Sequence, residues 1–272
     1  MLPRLPKRAF AFAALLLAAQ ATLAQTPPTV QLQDLTWTEI RDQVHAGKTT
    51  IIIPIGSTEQ SGPYIAVGKH NRRATVLAER IAQKLGNALV APTVDYVPEG
   101  SYAPPTSHMR FPGTITIPDA TFEQLLESAA NSFAVHGFRN VVFLGDHGGY
   151  QRDLRQVVAR LDRQWAGRQA RAFAPPEYYE ASSTGFAQIL RRHGIRDDEI
   201  GTHAALADTS LQLAVAPQMV RLRALRAAPK PGAADGVYGG DPRRSSAALG
   251  QLGVDAIISR TVEAIRKDTA GR

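Results

Sequence analysis

The sequence predicts a layered α/β fold with a mostly parallel central sheet, on two observations. Apolar, β-branched runs at residues 49–55, 89–97 and 140–144 read as buried strands. Segments with helical spacing separate them, at 72–85, 119–136 and 151–165. Strands alternating with helices argue for packed layers around parallel strands. In such sheets ligands bind outside the carboxyl ends of strands. Residues 56–71 and 145–150 are therefore the first places to look for chemistry.

The N-terminal segment is not read as fold. Arg4, Lys7 and Arg8 precede an apolar run from Ala9 to Ala19, and small residues follow at Ala21 and Ala24. That order is that of a secretory signal peptide over residues 1–24, with cleavage after Ala24 or after Ala21. The run of about 11 residues is shorter than the roughly 20 that span a bilayer. A periplasmic or secreted protein is expected, with no membrane attachment after cleavage. Residues 25–34 (QTPPTVQLQD) read as a Pro-containing linker, and residues 35–268 as a single domain.

Within that domain, Trp37–Ala46 reads as a short helix and Thr49–Ile55 as a buried strand ending at Gly56. Residues 57–70 form an aperiodic loop before the helix at 72–85. The strand at 89–97 leads into a Pro- and Gly-rich loop, 98–113, of a length usually reserved for function or motion. Residues 114–117 read as a short strand. A helix follows from Asp119 to His136, stopped by Gly137. The strand 140–144 runs into Gly145-Asp146-His147-Gly148-Gly149. A further strand is read at 169–173, and helices at 182–193, 203–216 and 245–267.

Composition narrows the chemistry. Loss of residues 1–24 lowers the formal charge from +7 to +4. The remaining basic residues are scattered among acids, with no interleaved aromatics, so no nucleic-acid partner is expected. Cysteine is absent. Disulfides, thiolate metal sites and cysteine nucleophiles are thereby excluded. Any metal must be held by His and carboxylate groups.

Three stretches offer such groups. Glu59, just past a buried strand, could bind a cation, act as a base or cap a loop. His70 offers an imidazole or is a surface histidine in a turn. Asp146-His147-Gly148-Gly149 combines a carboxylate and an imidazole with two glycines that let backbone approach a ligand. His203 and Asp208 are five residues apart and do not share a helix face as an i, i+4 pair would; with a helix start near Ala204, His203 precedes it and Asp208 projects from its second turn. His108, in the Pro-rich loop, could reach over a pocket.

Taken in order, these stretches resemble the creatininase family. The shared residues are Gly56-Ser57-Thr58-Glu59-Gln60, Gly62-Pro63, His108 with Phe111-Pro112-Gly113-Thr114, and His147-Gly148-Gly149. His203-Ala204, Thr209-Ser210 and Gly236-Val237-Tyr238-Gly239-Gly240-Asp241-Pro242 complete the set. The resemblance spans roughly residues 35–265. It implies a three-layer α/β/α fold, a homo-oligomer that is often a hexamer, and hydrolysis of amide bonds in small molecules at a two-metal site.

The departures imply a rebuilt site. The family's E-x-H is Glu59-Gln60-Ser61, its next histidine is Tyr64, and its bridging aspartate falls at His70. The Glu before Thr-Ser is Asp208. The expectation is one metal ion, zinc first and manganese or iron as alternatives, held by Glu59, His70, His147 and Asp208. Asp146 and His203 are the expected catalytic groups. Ser61, Tyr64, His108, Gly148 and Gly149 are expected to meet a small-molecule substrate. The expected reaction is hydrolysis of a small amide or cyclic amide. A non-catalytic binding protein of the same fold is the main alternative, and a serine hydrolase a weaker one, since no G-x-S-x-G elbow is present.

Overall fold

The computed structural model describes residues 28–270; the expected signal peptide lies outside them. Its elements in chain order are α1 (Trp37–His45), β1 (Thr50–Ile55), α2 (Lys69–Leu85), β2 (Ala88–Val90) and α3 (Asp119–Val135). Then come β3 (Asn140–Gly145), α4 (Gln151–Gln164), β4 (Arg171–Phe173), α5 (Pro176–Glu180), a π-helical turn (Ala181–Gly185) and α6 (Phe186–Arg192). The chain ends with α7 (Asp197–Ile200), β5 (Gly201–His203), α8 (Leu206–Val215), α9 (Leu222–Ala227), β6 (Tyr238–Gly240) and α10 (Ala247–Thr269). Among the described residues, no helix is long and apolar enough to cross a membrane.

Four parallel strands form the central sheet in the order β2-β1-β3-β4. Alternate residues of each strand face opposite layers, as the two-residue pleat requires. Ile52, Val90, Val142 and Leu144 pack with α2, α8 and α10 on one side. Ile51, Ile53, Leu89, Val141 and Phe143 pack with α3 and α4 on the other. The apolar runs are continuous because both faces are buried. The result is the three-layer α/β/α sandwich.

Five local readings change. Helix α2 starts at Lys69, so His70 lies on its first turn and not in a loop. The strand at 89–97 pairs regularly only to Val90, with a single bridge from Val94 to Ile55 beyond it. Residues 114–117 form no strand and touch the backbone at isolated bonds, Ile115 N to Thr58 O (2.9 Å) and Ile117 N to Val97 O (3.3 Å). His203 belongs to β5, paired with Tyr238, and α8 begins three residues later. Within the expected linker, Gln31 bridges Val90 at the sheet edge.

Helices α8 and α10 pack closely because α10 presents Gly250 to the Ser210 carbonyl, where a Cβ would collide with backbone. Gly250→Ala should therefore destabilise the fold by about 1–3 kcal/mol, as an overpacked core does. Urea unfolding checks this, with the midpoint falling at unchanged slope.

Candidate metal centre

The carboxyl ends of the adjacent strands β1 and β3 deliver the chain to one place. Gly56 to Gln60 leave β1, and Asp146 to Gly149 leave β3. The loop after β2 brings Glu99 and His108 over them. Glu59 and Glu99 are buried, at 0% and 3% exposure.

One donor atom from each of Glu59, Glu99, His108 and His147 lies within 4.8 Å of the others. Glu59 Oε2 stands 3.2 Å from His108 Nε2 and 3.5 Å from His147 Nε2. Glu99 Oε1 stands 3.1 Å from His147 Nδ1 and accepts the Ser57 hydroxyl at 2.6 Å. The remaining oxygens, Glu59 Oε2 and Glu99 Oε2, are buried without a hydrogen-bond partner. Buried carboxylate oxygens left unpaired are costly, and a cation between them and two imidazoles removes that penalty. The donor set therefore fits a divalent ion of borderline character.

Electrostatics agree. Burial pushes the Glu99 carboxyl up to about 8, helped by the charge of Glu59. Burial holds His147 down to about 4 and His203 to about 3, so both rings are neutral at pH 7, the form that binds metals. Glu59 is the opposite case. Burial works against its charge, but Lys69 and His70 outweigh it and hold the carboxyl well below its usual range.

Behind Glu59 lies a second layer of buried charge on α2. His70 Nε2 meets Glu59 Oε1 at 2.7 Å, and its Nδ1 meets Asp146 Oδ2 at 2.8 Å. Arg73 Nε donates to Asp146 Oδ2 (2.8 Å) and its Nη1 to Asp208 Oδ1 (2.7 Å). Lys69 Nζ donates to Asp208 Oδ2 and stands 3.5 Å from Glu59 Oε1. Burial and the charge of Lys69 oppose protonation of His70, yet Glu59 and the bond to Asp146 raise its pKa overall.

This arrangement redistributes the expected site residues. Glu59 and His147 join the cluster, whereas His70 and Asp208 do not. Both nitrogens of His70 are already committed to carboxylates, and both oxygens of Asp208 to Lys69, Arg73 and the Ala204 N–H. His108, expected to meet substrate, sits inside the cluster. Asp146, expected to be catalytic, is 1% exposed and committed to His70, Arg73 and the Tyr178 hydroxyl. It borders the cavity, but with its oxygens engaged it orients the network and is not a free base.

His203 stays beside the cluster, Nε2 bonded to the Gln60 carbonyl at 3.0 Å and Nδ1 facing Glu59 Oε1 at 3.6 Å. Ser61 and Tyr64 do not line the cavity; Ser61 is buried, and both border a separate small cleft with Gly62, Ala204 and Val237. Gly148 lines the cavity; Gly149 instead donates its N–H to His147 Nδ1 at 3.3 Å.

The cavity in front of the cluster measures about 710 Å³. Its lining includes His108, His147 and His203, and also Tyr179, Ser182 and Ser183, with the Tyr179 hydroxyl close against Gly148. The two serine hydroxyls bond back to Tyr179 O at 2.9 and 2.7 Å across the π-helical turn. Such widened turns recur at functional sites.

Comparison with known proteins agrees with the geometry. The family profile named Creatininase, described as creatinine amidohydrolase, matches residues 33–265. A mycofactocin precursor peptide peptidase from Mycolicibacterium smegmatis is 27% identical over 231 residues, 83% of this chain and 87% of the relative. Creatinine amidohydrolase from Pseudomonas putida is 27% identical over 199 residues, 71% of this chain and 75% of the relative. Among solved structures, a mutant creatininase of Zn–Zn type superposes with a TM-score of 0.73 at 24% identity, covering 89% of this chain and 99% of that one. A match over almost the whole described chain places this protein in the creatininase family.

Proposed function

We propose that the chain hydrolyses the C–N bond of a small amide or cyclic amide, using one divalent ion held by Glu59, Glu99, His108 and His147. The observation that carries this reading is the pair of buried, unpartnered carboxylate oxygens facing two neutral imidazoles at the mouth of a cavity. Zinc is the first choice, on the donor types and on the Zn–Zn form of the related fold. When bound, such an ion supplies a polarised carbonyl and a water of lowered pKa.

The chain's own residues do the rest. His70 and Lys69 fix the Oε1 side of Glu59, so that Oε2 keeps its aim. His203, neutral and held by the Gln60 carbonyl, presents Nδ1 beside the cluster. Tyr179 and the serine hydroxyls behind it offer hydrogen bonds suited to a compact polar substrate. The two relatives named above are a creatinine amidohydrolase and a precursor peptide peptidase, and the reading for this chain is the smaller amide. Export on residues 1–24 and homo-oligomeric assembly belong to the same proposal, supported by the N-terminal charge pattern and by the family resemblance.

The test is metal content per chain by elemental mass spectrometry, followed by an amide screen with and without chelator. One ion per chain and chelator-sensitive hydrolysis are expected. A zinc-supplemented preparation that holds no ion would move the non-catalytic binding reading to the front.

A further inference from the structure

We propose that the ammonium of Lys69 occupies a second cation position, so that this chain takes one metal ion beside a built-in organic cation. The inference rests on the metallohydrolase reading above and concerns the other side of the same glutamate.

Glu59 faces two places. Its Oε2 looks toward His108 and His147, and its Oε1 toward Lys69, His70 and His203. Around the Lys69 ammonium, Asp208 Oδ2 is in direct contact and Glu59 Oε1 stands at 3.5 Å. His203 Nδ1 lies 3.6 Å from that same oxygen. Its Nε2 contacts the Gln60 carbonyl at 3.0 Å and the Gln60 side-chain amide nitrogen at 3.1 Å, which leaves Nδ1 turned toward Glu59. Carboxylate oxygens with an imidazole beside one of them are donor types that bind divalent ions, and here an ammonium stands between the two carboxylates.

Two further observations favour a retained cation over an incidental ion pair. Lys69 opens helix α2, where the helix dipole opposes a positive charge, and its side chain is fully buried. Both circumstances disfavour lysine unless the site demands a cation. The charge balance also closes. Glu59, Glu99 and Asp146 are buried acids, Asp208 is 13% exposed at its side chain, and Lys69 and Arg73 are two buried permanent cations. With all four acids ionised, Glu99 by the bound ion, one divalent ion makes the set neutral; a second would leave two excess positive charges.

The experiment loads wild type, Lys69→Ala and Lys69→Met with zinc, desalts them, and reads ions per chain together with the zinc-dependent rise in Tm. Wild type should hold one ion. Lys69→Ala, with the position cleared, should hold two, and added zinc should raise its Tm further than that of wild type. Lys69→Met, which refills the space without a charge, should stay at one. A folded Lys69→Ala that holds one ion at saturating zinc overturns the proposal and leaves the single-ion reading intact. Wild type without any ion overturns both.

If Lys69→Ala does not fold, Lys69→Gln decides. Removing a nearby positive charge should tighten the remaining ion by about tenfold or more. Unchanged affinity in a competition titration overturns the proposal.

Discussion

His147→Ala should lose the bound ion and, with it, hydrolysis, while His70→Gln should keep the ion. The two histidines stand on either side of Glu59 and their ring centroids are 5.3 Å apart, yet they do different work. His147 is neutral, faces Glu59 Oε2 and Glu99, and has lone-pair character to offer. His70 is held between Glu59 and Asp146 with both nitrogens engaged. If the 10–16 kcal/mol typical of a four-ligand zinc site is shared among its ligands, each is worth roughly 3 kcal/mol, about a hundredfold in affinity. His147→Ala should therefore weaken zinc by about that factor. A group that only orients a ligand typically costs about 10–100-fold. His70→Gln, which keeps one hydrogen bond, should fall at the low end of that range. Competition with a chromogenic chelator measures both. Equal losses in the two variants would return His70 to the ligand set.

Much of this was legible in the sequence, and the exceptions have physical causes. The strands were readable because burial on both faces makes them continuously apolar, as in Ile51-Ile52-Ile53 and Val141-Val142-Phe143-Leu144. The location of the site followed from their carboxyl ends, which carry Glu59 and His147. Glu99 was missed because nothing local distinguishes it from any acid in a Pro- and Gly-rich loop; only the fold brings it against Ser57 and His147. Lys69 and Arg73 were missed for a different reason. Charged residues on a helix usually face water, but these two share a face with Ala74, Leu77, Ala78 and Ile81, all buried. Cations at core positions of an amphipathic pattern were the available signal that counter-charges would lie opposite. His70 was read as a metal ligand because its position matches the aspartate of the family motif. Its place on the first turn of α2 beside Arg73 and Asp146 makes it a partner of carboxylates instead.

Arg73→Met should be the most destabilising single change in this network. The guanidinium is 3% exposed and joins Asp146 to Asp208, with Nε on one and Nη1 on the other. Burial opposes its charge, but the two aspartates outweigh burial and hold it protonated. Without it, Asp146 keeps His70 and the Tyr178 hydroxyl, and Asp208 keeps Lys69 and the Ala204 N–H, with one cation fewer to balance two carboxylates. Breaking such a buried set typically costs about 3–5 kcal/mol. For a chain of this size that corresponds to a Tm lower by roughly 6–20 °C. The sign of the pH dependence follows from Asp208. Burial pushes its pKa up, yet Lys69 and Arg73 hold it well below the ordinary value of 3.8. Its contribution is therefore present above about pH 4 and lost as pH falls through the depressed value. The gap between wild type and Arg73→Met should be widest near neutral pH and should narrow in acid. Adding Asp208→Asn to Arg73→Met should cost less than the two changes summed, since the second removes a charge the first left unpaired. An Arg73→Met protein as stable as wild type at pH 7 would mean that Lys69 and His70 alone neutralise both aspartates, and that Arg73 contributes packing rather than charge.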